Sequence, residues 1–266
     1  MGKIKECYYN NRIFFEIIPK SVYFVFYLNY HSKFLSYIKN RYKAFVVENL
    51  SLSRVSYYNV VLNEKISICE ECKDKEILVI PNFEFIKICF SLDKKLFCFF
   101  CYKNKYLFDS VLRVIYSIVL SKHRGFLLHS AGIIEKNGCL FYVGPTNSGK
   151  STLAKNFSPK YILSDELCPV VVNKNNQVLC WKSPFYSEVK VEYGFINFLK
   201  LKKIYFLLGF SENKKILKLD KKEAFLLLLK NIFWIPKNQK LTQNVLTTAY
   251  KVIKYSTQNK LFLEVL

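Results

Sequence analysis

The sequence predicts an α/β protein, in which a domain with a mixed sheet and flanking helices over residues 106–266 follows a strand-rich region over residues 1–105. Strand and helix patterns alternate along the second part, whereas the first part contains strand-like apolar runs and irregular connections. Hydrophobic residues make up 51% of the chain and charged residues 23%, which supports a well-filled core and excludes a disordered protein. The N-terminal region is expected to add strands to the domain or to pack beside it.

The N-terminal region contains four candidate strands and no recognisable catalytic motif. Each strand is rich in β-branched and aromatic residues, which suit a pleated surface. The candidates are Val22–Leu28, Ala44–Val47, Glu76–Ile80 and Leu96–Tyr102.

Two Cys-x-x-Cys pairs, Cys69 with Cys72 and Cys98 with Cys101, lie in the same region. Paired cysteines of this kind can hold zinc in a tetrahedral site. The second pair falls in a predicted strand, however, where residues three apart point to opposite faces. This setting favours reduced core cysteines over a zinc site. Because the N-terminus lacks the apolar stretch of a signal peptide, we expect a cytoplasmic protein with reduced thiols.

The second part begins with a predicted helix, Asp109–Lys122, capped by Asp109 or Ser110. Asn137 and Gly138 lie between two apolar runs and predict a hairpin turn. Asp220 predicts the start of a later helix, since an acidic residue follows three positions on. The remaining predicted elements are a short helix over 149–157, strands over 161–164, 169–172, 178–181, 204–210 and 216–219, and helices over 223–234 and 243–255.

The formal net charge of +21 indicates a lysine-rich solvated surface with a general preference for anionic partners. The lysines are scattered and form no arginine-rich stripe, so nucleic acid is not an expected partner. The longest apolar runs are far shorter than the roughly 18 residues that a membrane span requires, and no membrane span is predicted.

Residues 144–151 match the G-x-x-x-x-G-K-S pattern of a phosphate-binding loop, or P-loop. Glycines let backbone N–H groups turn towards phosphate, Lys150 meets the β- and γ-phosphates, and the Ser151 hydroxyl binds Mg²⁺. An apolar strand precedes the loop and a helical pattern follows it, as the motif requires. The sequence therefore predicts ATP and Mg²⁺ as ligands, with nucleotide contacts from Gly144, Pro145, Thr146, Asn147, Ser148, Gly149, Lys150, Ser151 and Thr152.

Asp165 ends the strand that follows the P-loop helix, and strand ends of this kind face the ligand crevice of α/β sheets. Its carboxylate could accept a proton or reach Mg²⁺, and Glu166 offers a second carboxylate. The alternative is that Asp165 caps a turn. His129 is a third candidate, because a two-residue loop at Asn137 and Gly138 would place it opposite Thr146, beside the triphosphate. The alternative for His129 is a packed structural histidine.

Residues 128–134, 143–152 and 163–166 together resemble the HPr kinase/phosphorylase family. The order is the same: a histidine, a strand pair, a P-loop, a short helix and a strand that ends on two acidic residues. The chain looks most like the HPr-kinase-like proteins found with genes for ribosomally made, modified peptides. The specific match covers about 40 residues, and a looser likeness extends along the rest of the second part.

The resemblance implies a P-loop kinase fold akin to that of phosphoenolpyruvate carboxykinase, and transfer of the ATP γ-phosphate to a serine. By that likeness Asp165 is the general base, Glu166 assists the metal with Ser151, and His129 lines the phosphate site. Family members often assemble into oligomers, so the resemblance is compatible with a homo-oligomer.

The chain departs from the family pattern at three points. The family signature Glu-Ile-Arg-Gly-Leu-Gly is not reproduced around residues 188–194, and this departure concerns the recognition of HPr and the reverse reaction. Glu166 stands where the family usually has aspartate. Asn147 replaces a common glycine, which is tolerable because asparagine readily adopts left-handed conformations.

Three functions follow as hypotheses, of which a nucleic-acid-binding ATPase is the least favoured because no helicase-type motif follows the P-loop. The first is an ATP- and Mg²⁺-dependent serine kinase acting on a peptide or small protein, such as a ribosomally made precursor peptide, with residues 182–192 contacting the acceptor. The second is a nucleotide-binding accessory protein for peptide modification that transfers no phosphate. Asp165 and His129 favour the kinase, because nucleotide binding alone needs neither residue.

Overall fold

The chain folds as an α/β protein with two mixed sheets, one in each of two units, residues 1–112 and 113–266. The computed structural model describes residues 12–28, 32–47, 51, 55–63, 77–79, 87–91, 95–100, 105–189, 197–211, 213–233 and 235–264. The division between the units falls inside helix α2, Lys105–Lys122, whose N-terminus is the boundary expected from the sequence.

The first unit is built on a seven-stranded sheet with the order β3-β1-β2-β4-β7-β6-β5. Its described strands pair with one another, so they form a sheet of their own. Parallel pairing joins β2 to β4 and β4 to β7, whereas the pairs β1–β2, β1–β3, β5–β6 and β6–β7 are antiparallel. The elements are β1 (Arg12–Ile18), β2 (Val22–Leu28), α1 (Ser32–Arg41), β3 (Val46–Val47), β4 (Ser56–Asn63), β5 (Ile77–Val79), β6 (Lys87–Ser91) and β7 (Leu96–Phe100).

Aromatic side chains fill the core of the first unit. Phe24 is fully buried, and its ring centroid lies 5.7–6.5 Å from those of Phe26, Tyr58 and Phe97 at steep interplanar angles. Edge-to-face contacts of this kind add to the free energy gained by removing the rings from water. Phe24 and Phe26 are two residues apart in β2, so both rings lie on the same face of the sheet, where they meet Tyr58 of β4 and Phe97 of β7.

The second unit contains the longer elements. Its strands are β8 (Gly125–Glu135), β9 (Gly138–Val143), β10 (Ile162–Ser164), β11 (Leu167–Val172), β12 (Val178–Cys180), β13 (Leu199–Ser211), β14 (Lys215–Lys218) and β15 (Thr257–Glu264). Its helices are the second part of α2, then α3 (Lys150–Lys155), α4 (Lys221–Asn231) and α5 (Gln239–Tyr255), and a 3₁₀ turn spans Pro159–Tyr161.

The strands β8, β11, β12, β13 and β9 pair in that order, and β9 pairs back to β8, so the pairing closes a circuit. Apolar side chains of these strands form the main core together with one face of α4 and one face of α5, represented by Leu228 and Val252. The strands β8 and β9 therefore lie in a tightly packed frame, and the loop after β9 starts from a fixed point.

Several predicted elements are confirmed with shifted ends. Strand β2 has the predicted bounds, and the β11–β12 hairpin pairs Val172 with Val178. Asp220 caps α4 by accepting hydrogen bonds from the N–H groups of Lys222 and Glu223. The predicted cap of α2 is wrong. Asp109 lies inside that helix, and its carboxylate accepts from the Tyr42 hydroxyl and from Arg41.

Of the two Cys-x-x-Cys pairs, only Cys98 lies among the described residues. Cys98 lies in strand β7, as the pattern indicated, whereas Cys69, Cys72 and Cys101 lie outside the described residues. Within the part of the chain that the structure describes, none of the helices is both long enough and apolar enough to cross a membrane.

Candidate functional site

The P-loop connects β9 to α3 and turns on two left-handed residues. Asn147 has a φ of 64° and Gly149 a φ of 88°. The Ser148 N–H donates to the Pro145 carbonyl at 3.2 Å, which closes the turn between them. Residues with a side chain rarely adopt positive φ, and asparagine and glycine are the types that do so at least cost. The sequence therefore supplies the right residue at each of the two positions.

Lys150 opens α3 and folds back over the loop. Its ammonium group donates to the carbonyl oxygens of Gly144 at 2.7 Å and Pro145 at 2.6 Å. Burial lowers the pKa of this lysine from its usual 10.5. A phosphate bound at the loop would compete with these two carbonyl oxygens for the hydrogen bonds of the Lys150 ammonium group. The lysine is therefore held at the loop by bonds that an anion can replace.

A cavity of about 460 Å³ lies beside the loop, within the size range of small-molecule sites. The residues that line it are His129, Thr146, Asn147, Gly149, Lys150, Ser151, Thr152, Asp165, Glu166, Ser187 and Glu188. The structure thus brings His129, both predicted acids and most of the P-loop to the lining of one cavity.

Three predicted contact residues, Gly144, Pro145 and Ser148, do not line that cavity. Within the loop the Ser148 side chain is buried, and a Cβ added at Gly144 would lie 2.5 Å from its hydroxyl oxygen. The role of Gly144 in this structure is therefore to let the loop close on Ser148.

The strand order explains why the site assembles. Strands β9 and β10 both pair antiparallel to β8, on opposite sides of it, so they run parallel to each other. Strand β9 ends opposite Ser130 and β10 ends opposite Gly132, two residues apart along β8. The P-loop follows the end of β9, and Asp165 follows the end of β10. Strand β8 runs the opposite way, so its middle passes between the two ends and carries His129 there.

The predicted register of the β8–β9 hairpin is wrong by two residues. Glu135 pairs with Gly138, so the turn consists of Lys136 and Asn137, and Ser130 pairs with Val143. His129 consequently lies level with Gly144 instead of Thr146. A shift of two residues keeps a strand side chain on the same face, and for this reason His129 still lines the cavity.

The His129 ring packs against Phe233, with ring centroids 5.8 Å apart. Burial lowers the pKa of His129 from its usual 6.5, and the positive charges of Lys150 and Arg113 lower it further. The imidazole is therefore neutral at pH 7 and can offer a hydrogen bond without adding charge.

Asp165 is 1% exposed and binds three consecutive backbone N–H groups. Its Oδ1 accepts from Ser187 at 2.8 Å, and its Oδ2 accepts from Glu188 at 2.8 Å and from Val189 at 3.1 Å. Hydrogen bonds to a charged group contribute about 1.5–3 kcal/mol each. Asp165 thus lines the cavity and also caps a turn, which is the alternative that its sequence position left open.

Ser164 ties the same segment to the end of β10. Its hydroxyl donates to the Phe185 carbonyl at 2.6 Å and accepts from the N–H groups of Glu166 and Leu167, each at 3.0 Å. The Ser183 N–H donates to the Leu163 carbonyl at 3.0 Å. Residues 163–165 therefore hold residues 183–189 through three successive positions.

Glu166 forms a two-point ion pair with Arg113 of α2. Nη1 lies 2.7 Å from Oε1, and Nη2 lies 3.0 Å from Oε2. Both side chains are about one-fifth exposed. Such a fork-to-fork pair orients the carboxylate as well as balancing its charge.

Glu188 forms an ion pair with Lys155 of α3. The two side chains are 51% and 55% exposed, respectively. Exposed ion pairs contribute about 0–1 kcal/mol because water screens them. Of the three acids on the cavity wall, Glu188 has the least strongly held carboxylate.

Sequence reasoning missed Arg113 and the specific roles of Ser187 and Glu188. The available signal for Arg113 was its place within the apolar run of residues 111–116, since a buried helix face rarely carries an unpaired charge. Ser187 and Glu188 belong to the segment expected to contact an acceptor, and no local pattern singles them out. No protein-family model matches this chain, and no curated protein sequence matches it significantly.

Proposed function

We propose that the protein binds ATP with Mg²⁺ at the P-loop cavity and transfers the γ-phosphate to a serine of a peptide or small protein, within a P-loop kinase fold. The observation that carries the proposal is the cavity itself, which is lined by P-loop residues, His129 and three acidic residues. Nucleotide binding alone would not call for the carboxylates, whereas phosphoryl transfer needs a proton acceptor and a metal ligand.

The nucleotide part rests on the loop. Lys150 supplies the charge for the β- and γ-phosphates, and the left-handed residues Asn147 and Gly149 shape the turn that faces them. We expect Lys150→Ala to weaken ATP binding about tenfold or more, because charge-assisted contacts contribute about 1.5–3 kcal/mol. Titration calorimetry with Mg²⁺ and ATP measures the change.

Lys174→Ala is the matched control, since it removes the same charge from an exposed position in the β11–β12 turn. It should leave the ATP affinity within about twofold. Equal ATP affinity in the wild type and in Lys150→Ala would contradict nucleotide binding at this loop.

The residues present fit Mg²⁺. Ser151 and Glu166 offer oxygen donors, which are the ligands that this ion prefers, and Mg²⁺ in nucleotide sites takes its remaining ligands from water and phosphates. The ion would neutralise charge on the phosphates. Glu166 can contribute only if one of its bonds to Arg113 is shared or exchanged.

In the transfer step, the serine hydroxyl oxygen forms a bond to the γ-phosphorus, and the bond from that phosphorus to the bridging oxygen of ADP breaks. The hydroxyl proton passes to a carboxylate of the cavity wall, a role that the resemblance gives to Asp165. His129, neutral at pH 7, can donate a hydrogen bond to a phosphate oxygen without holding the product by charge. The excess of lysine favours an acceptor with acidic residues near its serine.

A second function, an accessory protein that binds ATP without transferring phosphate, is favoured by one observation. Asp165 and Glu166, the two acids expected to act in catalysis, are both hydrogen-bonded to groups of the protein itself. In such a protein the acids would serve to order the wall around the nucleotide.

Incubation of the full chain with γ-labelled ATP, Mg²⁺ and acidic peptides that each carry one serine separates the two functions. The kinase should label the serine peptides and leave unlabelled the same peptides with alanine in place of serine. ATP binding in calorimetry without label transfer to any peptide would favour the accessory function.

A further inference from the structure

We propose that Glu188 is the acid that takes the proton of the acceptor hydroxyl, and that Asp165 is a positioning residue that holds Glu188 at the cavity. The proposal rests on the proposed kinase function. It assigns the proton to a different residue from the one that the family resemblance implies.

Asp165 is fully engaged in holding the backbone of residues 187–189. Both of its carboxylate oxygens accept hydrogen bonds from the N–H groups of these residues, and the side chain is 1% exposed. Taking a proton would require the carboxylate to give up at least one of these bonds and leave a backbone N–H without its acceptor. Buried backbone donors are almost always paired in native proteins. This carboxylate is therefore suited to holding the turn.

Glu166 is held by Arg113. Its two carboxylate oxygens accept hydrogen bonds from the two terminal nitrogens of that arginine at 2.7 and 3.0 Å. A guanidinium remains charged at all working pH values and stabilises the ionised carboxylate. A proton would have to displace this partner, so Glu166 is poorly suited to accept one.

Glu188 is the least strongly held of the three acids. It lines the same cavity, and its carboxylate forms an exposed ion pair with Lys155 that water screens. The bond can be exchanged at little cost, so this carboxylate can turn to an acceptor hydroxyl. Lys155 is the last residue of α3 and does not line the cavity, so the Glu188 carboxylate must turn from Lys155 to reach an acceptor hydroxyl.

Asp165 fixes the backbone that carries Glu188. The three N–H groups that donate to Asp165 are those of Glu188 and of its neighbours on both sides. The backbone that carries Glu188 is thus fixed at three successive residues, which limits the positions that its side chain can reach. In the reaction, the hydroxyl proton passes to the Glu188 carboxylate as the oxygen bonds to phosphorus, ADP leaves, and Glu188 later releases the proton to water.

The test compares Glu188→Gln and Asp165→Asn with the wild type. Loss of the γ-phosphate from bound ATP, to an acidic single-serine peptide or to water, is measured in a single turnover across pH 5–9. Amide hydrogen exchange of residues 187–189 is measured in parallel, and calorimetry reports ATP affinity. Glu135→Gln, at an exposed position at the end of β8, is the matched control for loss of a carboxylate.

We expect Glu188→Gln to bind ATP within about twofold of the wild type, to transfer phosphate at least about a hundredfold more slowly throughout that pH range, and to leave amide exchange of residues 187–189 within about twofold. Asp165→Asn should also transfer more slowly, but its residue 187–189 amides should exchange at least about tenfold faster. Glu135→Gln should match the wild type in every measurement.

Wild-type transfer by Glu188→Gln would overturn the assignment while leaving the kinase function intact. Unchanged exchange of the residue 187–189 amides in Asp165→Asn would overturn its positioning role. A wild type that binds ATP and never loses the γ-phosphate would instead overturn the kinase function, and the assignment with it. If Asp165→Asn fails to fold, the exposed Glu188→Gln variant still decides which acid takes the proton.

Discussion

The two units of the chain bury different kinds of side chain. In the first unit the largest fully buried side chains are aromatic, among them Phe15, Phe24 and Phe97. In the second unit serine, threonine, asparagine, glutamine and aspartate side chains are also buried, and all ten such residues among those described lie there. Ser164 and Asp165 belong to this set, and Asp165 lines the cavity.

The difference shows what each unit is built for. A buried apolar ring contributes by leaving water, and its partners need only fit its shape. A buried polar group must find a hydrogen-bond partner of defined position, so it specifies geometry at a risk to stability. In the second unit, buried polar groups of residues 163–166 bind residues 183–189, and residues of both segments line the cavity.

The largest effect on stability should come from the aromatic core. Phe24→Ala removes a fully buried ring with three aromatic neighbours and leaves a cavity, which should lower the free energy of unfolding by about 3–5 kcal/mol. Chemical denaturation measures the loss, and ATP affinity of the folded variant should stay within about twofold. Tyr106→Ala, at a side chain that is 69% exposed, is the control. A large change in ATP affinity in Phe24→Ala would break the contrast between the units.

An intermediate effect should come from Ser164. Ser164→Ala deprives the Phe185 carbonyl and two backbone N–H groups of their partner, which should cost about 1–3 kcal/mol in the free energy of unfolding. It should also speed amide exchange across residues 183–189. Ser121→Ala, which loses a hydrogen bond to the Ile118 carbonyl within helix α2, should cost less. Equal losses in the two variants would show that the polar buried groups of this unit serve packing alone.

The smallest effect should be a pH dependence from His129. Its pKa lies below 6.5 in the folded protein because of burial and nearby positive charge. Between the two pKa values the unfolded chain binds the proton more readily, so the stability that this residue contributes above about pH 6.5 is lost as the pH falls through the folded pKa. Denaturation at pH 7.5 and 5.5 should therefore show a greater loss in the wild type than in His129→Gln. His123→Gln is the control, and a greater loss in His129→Gln than in the wild type would reverse the sign.

Local signals sufficed for much of the fold. Strand β2, the β11–β12 hairpin and the Asp220 cap each depend on residues close in sequence, and their predicted positions agree with the structure. The elements that sequence reasoning missed include β1, α1, β4, β6 and the long strand β15, which pairs with β13 across more than forty residues. The pairing of β15 is set by burial against a distant segment, so no local pattern predicts it. Strand β1 pairs with the adjacent β2 across a short turn, and its apolar run was a local signal that sequence reasoning did not use.

The sequence by itself determined the P-loop, because its turn requires glycine or asparagine at particular positions and its chemistry requires one lysine and one hydroxyl. It also brought His129, Asp165 and Glu166 forward as candidates through strand ends and spacing. Only the tertiary structure decided what each carboxylate binds: three backbone N–H groups for Asp165, Arg113 for Glu166 and Lys155 for Glu188. The physical reason is that the strength of a carboxylate's existing hydrogen bonds depends on burial and on partners from remote segments, and one residue type in one strand position can hold a turn or exchange a proton depending on them.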